Sequence, residues 1–244
     1  MRYIDKDFDQ DIVRGTDLLL SKAKSYNSDQ QVRDNLRIIY SGCCAYCESS
    51  FEEGAYFQID HFYPKSIKKY RRYAKDIRNL HYSCQRCNNI KGAKFREVLS
   101  PNWYLNGTQW ELTRKEKINN EIYYVGHLLY SRNLSEDSLN RGENTISVFN
   151  LNNANAAIRG NRSYLVESRL KVCNNVHLLL KSITDLLINY NKSSNSVIDI
   201  LLSQVMSAMH PSSCYSTMVI QNYGDMLMKL LKTYIKLRTD QQKK

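Results

Sequence analysis

The sequence contains few of the two residues that build tight turns, with 9 Gly and 3 Pro among 244 residues. This shortage argues against an all-β fold of many short strands and predicts that helix dominates. Long apolar runs are also missing. No apolar run reaches the roughly 18 residues of a membrane helix, and the longest uncharged stretch, 200–224, contains His210, Pro211 and several serines. Charges begin at the second residue. We therefore expect a cytoplasmic protein with no secretory signal and no membrane contact.

Acidic residues are nearly absent from one part of the chain. Between His61 and Arg96 there are eleven Lys or Arg and one acid, Asp76, so this window has a net charge of +10, against +11 for the whole chain. A solvated basic face is the usual explanation of a charge run, but this window overlaps the candidate chemistry. We therefore expect nucleic acid to bind here. The predicted contacts are Lys65, Lys68, Lys69, Arg71, Arg72 and Arg86.

Three tyrosines are interleaved with these basic residues or follow them closely. Tyr70, Tyr73 and Tyr82 are consistent equally with base stacking and with ordinary packing.

The seven cysteines indicate a metal site. Four of them form two Cys-x-x-Cys pairs, Cys44/Cys47 and Cys84/Cys87. Each pair directs two thiolates at one centre, and two pairs complete a tetrahedral site that suits a structural Zn²⁺. Disulfides are the poorer explanation in a chain without an export signal. Cys43 could replace Cys44, but only Cys44 keeps the two-residue spacing.

The segment between the two pairs carries residues suited to phosphodiester cleavage. A strand is predicted to lead into Asp60 and His61, and a short helix is predicted to open at the second pair and carry Asn88. The carboxylate of Asp60 and the amide oxygen of Asn88 are hard ligands, which predicts a second metal, catalytic Mg²⁺ or Mn²⁺. His61 is the candidate base for the attacking water, because an imidazole is largely neutral near pH 7. Neighbouring strand residues point to opposite sides, so Asp60 and His61 are expected to face different surroundings.

Two further residues complete the candidate catalytic set. Asn79 is predicted to hydrogen-bond the loop that orients His61. Lys91, or alternatively Arg86, is predicted to counter the charge that develops on phosphate in the transition state. His81 lies near the second cysteine pair and is expected to pack or to bind phosphate rather than to replace a zinc ligand.

These residues together resemble a known motif. Asp60-His61-x-x-Pro64, Asn79 and Asn88-x-x-Lys91, framed by the two cysteine pairs, look like the HNH endonuclease motif of the ββα-metal fold. The resemblance implies that His61 is the general base, that Asn79 orients it, and that Asp60 and Asn88 hold one Mg²⁺ or Mn²⁺. Asn88 stands where many members have His, which favours Mg²⁺ over Zn²⁺.

The resemblance leaves the substrate open. It implies an endonuclease with DNA as the expected substrate. Cleavage of RNA such as tRNA, or a non-catalytic zinc-dependent module that binds nucleic acid, remain alternatives.

A weaker resemblance covers the whole chain. The opening Met1-Arg-Tyr-Ile, the string from Asp60 to Ser66, and the segment 149–152 with Arg159 and Arg162 are similar to nuclease subunits of bacterial Septu-type antiphage defence systems, which also occur in some retrons. This implies an effector that acts with an ABC-type ATPase of the PtuA type. In a retron it would also act with a reverse transcriptase and its RNA–DNA product. The sequence has no Walker motif, so any ATP chemistry would belong to the partner.

The predicted fold class is α+β and mainly helical. A ββα-metal core with four-cysteine zinc knuckles is joined to a β-hairpin insertion and a C-terminal helical region. The predicted segments are 1–42 (helical), 43–100 (nuclease core), 101–150 (hairpin and strand) and 151–244 (helical and partner-binding). Within them, 110–113 and 122–125 are predicted to pair as one hairpin, and 146–149 to form one more strand.

Overall fold

The computed structural model describes residues 1, 3–50, 57–112, 115–132, 140–153 and 163–242. It is 56% helical with small antiparallel sheets, which confirms the predicted α+β class. None of the described helices combines the length and the apolar character that crossing a bilayer requires. Arg2, Thr113, Arg159 and Arg162, which belong to segments interpreted above, lie outside the described residues.

Two helices open the chain, as the apolar spacing predicted. Helix α1 spans Asp11–Lys22, and helix α2 spans Gln30–Ile39. Asp29 caps α2, because its carboxylate accepts a hydrogen bond of 2.8 Å from the backbone N–H of Gln31. The two helices pack on each other and place their buried aliphatic residues in the core.

A ββα unit follows the helices. Strands β1 (Phe57–His61) and β2 (Leu80–Cys84) pair antiparallel, and helix α3 (Gln85–Lys91) begins directly after β2. The connection between the strands contains two 3₁₀ helices, at Lys68–Tyr73 and Ile77–Asn79. This connection carries most of the basic residues of the window.

The predicted single hairpin is wrong. The structure has two hairpins in succession, β3 (Trp103–Asn106) with β4 (Gln109–Leu112) and β5 (Ile122–Val125) with β6 (Leu128–Ser131). Helix α4 (Lys115–Glu121) lies between them in the chain.

The physical reason lies in two glycine turns. Gly107 and Gly126 each open a two-residue loop, with φ of +64° and +57°. Glycine adopts such positive φ values without strain, and two-residue loops with glycine favour tight hairpins. Each strand therefore pairs with its nearest neighbour.

The strand predicted at 146–149 is also wrong, because this segment belongs to helix α5 (Arg141–Val148). Its β-branched residues favour a strand locally, but tertiary contacts favour the helix. The hydroxyl of Thr145 donates to the carbonyl of Arg141 at 2.6 Å and accepts from the backbone N–H of Leu99 at 2.9 Å. At Gly142, an added Cβ would lie 2.7 Å from the carbonyl oxygen of Glu121, so the helix approaches that backbone closely.

Three long helices form the C-terminal region, as predicted. Helices α6 (Ser163–Ile188), α7 (Asn195–Met209) and α8 (Ser216–Gln242) pack on one another. Side-chain amides of α8 hold the second hairpin. Gln221 accepts from the N–H of Tyr124 at 2.8 Å, and Asn222 bonds both the N–H and the carbonyl of Gly126 at 2.9 Å.

The core is continuous across these elements. Buried residues from the N-terminal helices, the ββα unit, the second hairpin and the C-terminal helices belong to one hydrophobic cluster. The ββα unit is therefore supported from several sides, which fixes the positions of the candidate site residues.

Candidate metal centre and active site

The two cysteine pairs meet in the structure. The sulfur atoms of Cys44, Cys47, Cys84 and Cys87 all lie within 4.8 Å of one another, and all four residues are buried. The Sγ of Cys84 accepts from the N–H of Cys87 at 3.4 Å, and the Sγ of Cys44 accepts from the N–H of Cys84 at 3.4 Å. Cys43 lies outside this group and forms an isolated β-bridge with Ser50.

The donor set fits zinc. Four soft thiolates at this spacing can close a tetrahedral site, and burial leaves no open position for substrate. Such a site would tie the turn before β1 to the junction of β2 and α3.

Asp60 lies at the centre of a buried polar cluster. One of its carboxylate oxygens is 3.1 Å from the ammonium of Lys91, and the other accepts a hydrogen bond of 2.5 Å from the hydroxyl of Tyr46. Only 3% of Asp60 is exposed. Tyr46 stands inside the first cysteine pair, so the zinc knuckle directly holds the candidate metal-binding carboxylate. Tyr46 is not among the residues predicted from the sequence, although its place between Cys44 and Cys47 is a usable signal.

Lys91 is fully buried and surrounded by oxygen atoms. Besides Asp60, its ammonium donates to the carbonyls of His61 at 2.9 Å and of Phe62 and Gly92 at 3.3 Å. This geometry does not favour the predicted contact between Lys91 and a substrate phosphate. It gives Lys91 the role of neutralising Asp60 and holding the end of β1. Arg86, the alternative, is exposed and lies over the ring of Tyr164.

Asn88 joins the same face of the site. Its Nδ2 donates to the side-chain oxygen of Gln58 at 2.5 Å. Gln58 precedes Asp60 by two residues, so both side chains lie on one face of β1. The oxygens of Gln58, Asp60 and Asn88 are the hard donors that Mg²⁺ prefers, so the donor chemistry fits such a cation. In the structure, the charge next to Asp60 is supplied by Lys91.

His61 faces different neighbours from Asp60, as the alternation predicted. Its Nε2 lies 3.0 Å from the carbonyl of Ala74, and its ring meets Tyr26 edge-on at 4.4 Å. Because a carbonyl oxygen only accepts, Nε2 carries the proton of the neutral ring, and Nδ1 keeps its lone pair. Burial lowers the pKa of His61 below 6.5, despite the opposing effects of Ala74 and Asp60. The imidazole is therefore neutral near pH 7.

Asn79 clamps the segment that follows His61. Its Oδ1 accepts from the N–H of Tyr63 at 2.8 Å, and its Nδ2 donates to the carbonyls of Tyr63 at 3.1 Å and Tyr73 at 3.2 Å. Tyr73 is next to Ala74, the hydrogen-bond partner of His61. Asn79 thus joins both chain segments that hold His61, which is the geometry expected for a residue that orients the base.

His81 is fully buried and is not a member of the sulfur cluster. Its Nδ1 lies 2.6 Å from the hydroxyl of Tyr40, and its Nε2 has no hydrogen-bond partner among the described residues. Burial lowers the pKa of His81 well below 6.5, and the charges of Lys6 and Lys91 lower it further. Of the two roles expected for His81, this geometry favours packing.

Most of the basic side chains in the window 61–96 are exposed. Its single acid, Asp76, forms two hydrogen bonds of 2.8 Å with the guanidinium of Arg78, so it does not oppose the remaining positive charges. The six side chains predicted to contact nucleic acid are all exposed: Lys65, Lys68, Lys69, Arg71, Arg72 and Arg86.

The interleaved tyrosines have different surroundings. Tyr82 stacks on Phe57 at 3.7 Å, Tyr73 packs edge-on against Trp110 at 5.2 Å, and Tyr70 is buried against Tyr63 at 5.0 Å.

Comparison with known proteins identifies the unit that carries this site. The family model of the HNH endonucleases matches residues 44–94. These residues form an HNH endonuclease domain. The HNH domain contains both cysteine pairs and all of the predicted catalytic and metal-binding residues. This confirms the predicted family.

Similarity also extends beyond the HNH domain. The chain is 24% identical to the Septu protein PtuB of Bacillus mycoides (strain KBAB4) over 254 aligned residues, which cover 88% of this chain and 81% of that protein. It is 29% identical to the Septu protein PtuB of Bacillus thuringiensis over 113 residues, covering 45% of this chain and 36% of that protein. No solved structure matches the chain.

Proposed function

We propose that the protein is a Mg²⁺-dependent endonuclease that cleaves DNA as an effector of antiphage defence. The observation that carries the proposal is the environment of His61. Its Nε2 is committed to the carbonyl of Ala74, and burial keeps the ring neutral at pH 7, so Nδ1 is available to accept a proton.

The proposed mechanism assigns one task to each residue. Asp60 and Asn88 would hold the cation, which when bound would stabilise negative charge on the phosphate and the leaving 3′-oxygen. His61 takes a proton from the attacking water through Nδ1. Asn79 fixes the His61 segment, and Tyr46 fixes Asp60. The products would carry 5′-phosphate and 3′-hydroxyl ends.

The cleavage experiment compares the zinc-loaded wild type with His61→Ala. DNA and total RNA are incubated with each protein with added Mg²⁺ or without it, in buffer free of chelator, and the product ends are mapped. His210→Ala is the matched control, because His210 is exposed and lies outside the HNH domain. We expect Mg²⁺-dependent cleavage of DNA by the wild type and by His210→Ala, and roughly a 100-fold loss or more in His61→Ala.

Other results would change the assignment in defined ways. Products with 3′-phosphate ends, or equal cleavage by His61→Ala, would contradict the mechanism. Cleavage of RNA but not of DNA would mean that RNA is the substrate.

We further propose that an ABC-type ATPase of the PtuA type is the partner and that α6–α8 bind it. The similarity to the two Septu proteins supports this, together with large apolar side chains exposed on these helices, such as Leu178, Ile188 and Ile235. Replacing the exposed Leu178, Ile188 and Ile235 by serine should abolish a complex that co-purifies with the wild type and leave the melting temperature unchanged. Absence of cleavage with the ATPase and ATP present would support a non-catalytic binding module instead.

A further inference from the structure

A cavity of about 510 Å³ lies beside the HNH domain, between the segment that follows His61 and the first hairpin. Aromatic rings form its floor. Tyr63 lies 5.0 Å from Tyr70 and 5.2 Å from Phe95, and Tyr70 lies 5.1 Å from Phe95, measured between ring centroids. The cavity volume falls in the range of sites that enclose a small organic ligand. Aromatic groups of this kind are the usual partners of nucleobases.

Positive charges lie around this floor. Lys69 and Arg96 are exposed, and their charged groups lie 5.0 Å from the ring centre of Tyr70 and 5.6 Å from that of Phe95. Arg141, at the start of α5, also lines the cavity. Among the described residues that line it, none is Asp or Glu. The cavity therefore favours a ligand that is both aromatic and anionic, which is the chemistry of a nucleotide.

The hairpin β3–β4 forms a firmly placed wall. The backbone N–H of Leu105 donates to the hydroxyl of Tyr63 at 2.7 Å, which ties the wall to the floor. Glu111 stands behind the wall, where it accepts hydrogen bonds from the side chains of Tyr104 and Asn106. Its charge is thus used to position these two residues.

The cavity has a fixed position relative to His61, the candidate general base. Tyr63 follows His61 by two residues, and Asn79 bonds both the N–H and the carbonyl of Tyr63. Asn79 therefore holds the cavity floor and the His61 segment as one unit. A ligand in the cavity would keep a constant position relative to His61.

We propose that this cavity binds one unpaired nucleotide of the strand that is cut. Lys69 and Arg96 now cover the rings of Tyr70 and Phe95. The base would take their place over these two rings, and the displaced cationic side chains would hold the adjoining phosphate. This proposal rests on the proposed nuclease function, since it assigns part of the same substrate. In a duplex the faces of a base are covered by its neighbours, so the cavity selects single-stranded or distorted nucleic acid.

The test measures binding without cleavage. Full-length, zinc-loaded His61→Ala is mixed, without Mg²⁺ and without a chelator, with a short single-stranded DNA that contains 2-aminopurine, whose fluorescence falls when it stacks on an aromatic ring. The same labelled strand in a blunt duplex and the labelled mononucleotide alone are the two other arms. The pocket variant adds Lys69→Ala and Arg96→Ala. The matched control adds Lys22→Ala and Lys229→Ala, which removes the same charge from exposed positions outside the cavity and outside the basic window.

We expect quenching by the single strand, at least tenfold weaker binding of the duplex, and at least tenfold weaker single-strand binding by the pocket variant. The control should change binding less than threefold. Equal loss in both double variants, or equal binding of duplex and single strand without quenching, would overturn the proposal. Quenching by the free mononucleotide at the same concentration, dependent on Arg96, would also overturn it in favour of a free-nucleotide site.

The two proposals fail in different ways. Quenching that depends on Lys69 and Arg96 supports the cavity even where the wild type cleaves nothing. The second measurement introduces Lys69→Ala and Arg96→Ala into the wild type, which keeps His61. If this protein cleaves blunt duplex DNA as well as the wild type does, the cavity proposal is rejected and the nuclease assignment stands.

Discussion

The HNH domain and the C-terminal helices are stabilised by different kinds of buried group. The HNH domain buries ionisable side chains, including Asp60, His81 and Lys91, and satisfies most of their polar atoms with hydrogen bonds or ion pairs. Helices α6–α8 bury mainly aliphatic side chains and leave others exposed, such as Ile188 at 75% and Ile235 at 61%. The stability of the HNH domain depends on each buried charge keeping its partner, because an unpaired buried charge is costly. The stability of α6–α8 depends on the apolar area that the helices bury. Single substitutions should therefore have larger effects in the HNH domain.

The largest effect is expected at the cysteine cluster. Cys84→Ser should abolish zinc binding and unfold the HNH domain, because metal-binding energy contributes directly to folding at such sites. Metal content and a thermal melt measure both effects. Cys214→Ser, in the C-terminal region and outside the cluster, is the control and should keep its zinc. A zinc-free Cys84→Ser protein with an unchanged melting temperature would contradict the structural role.

The next largest effect is expected at the buried ion pair. Lys91→Met should lower the free energy of unfolding by about 3–5 kcal/mol, because the carboxylate of Asp60 would remain buried and unpaired. Adding Asp60→Asn should recover part of this loss. Urea denaturation measures the three proteins, and Lys232→Met, at an exposed position in α8, should change stability by less than about 0.5 kcal/mol. Equal losses of unfolding free energy in Lys91→Met and Lys232→Met would contradict the larger effects expected for the HNH domain.

Acid should destabilise the molecule through His81. The pKa of His81 in the folded protein lies well below its ordinary value of 6.5 because the ring is buried. Below pH 6.5 the unfolded chain binds a proton that the folded protein excludes, so stability falls as pH falls. The slope contributed by this one group is at most about 1.4 kcal/mol per pH unit.

Comparison with His81→Asn isolates this contribution from that of other acid-sensitive groups. The variant keeps a polar side chain near Tyr40 but cannot titrate in this range. The difference in unfolding free energy between wild type and variant should be constant above about pH 7 and should shift in favour of the variant between about pH 6.5 and 5. A difference that stays constant across this range would refute the assignment.

The smallest effect is expected on the outer face of α8. Ile235→Ser should change the free energy of unfolding by less than about 0.5 kcal/mol, because the side chain is already exposed. Leu227→Ser, on the inner face and only 4% exposed, is the matched contrast and should cost about 2–5 kcal/mol. Similar costs for both, measured in urea, would mean that the helices do not have one buried and one exposed face.

Sequence reasoning succeeded where the signal was local. The two-residue spacing of Cys44 and Cys47, repeated at Cys84 and Cys87, was enough to predict a four-sulfur cluster. The segment 151–244 was predicted to be helical, and α6–α8 lie within it, because the 3.6-residue spacing of apolar side chains is a property of the local sequence. The motif residues lie within one short stretch from Cys44 to Lys91, so the HNH domain that the family model matches at 44–94 could be predicted.

It failed where tertiary contacts decide. β-Propensity predicts a hairpin between 110–113 and 122–125. The turns at Gly107 and Gly126 instead pair each of these strands with a nearer one. The helix at 141–148 depends on a hydrogen bond between Thr145 and Leu99, which are far apart in sequence. Burial of Lys91 and its ion pair with Asp60 follow from how α3 packs on β1, and no spacing rule encodes that.

The long-range contacts of Lys6 have a consequence for folding while the chain is being synthesised. Its buried ammonium donates to the carbonyls of Ile77 and Leu80 at 2.7 Å, and its own carbonyl accepts from the indole of Trp103 at 2.7 Å. The opening residues therefore lack these partners until about a hundred residues have left the ribosome. At roughly 5–20 residues per second this delay lasts about 5–20 s. During that time a nascent chain could hold zinc only after Cys87 emerges, and Asp60 would lack its ion-pair partner until Lys91 emerges.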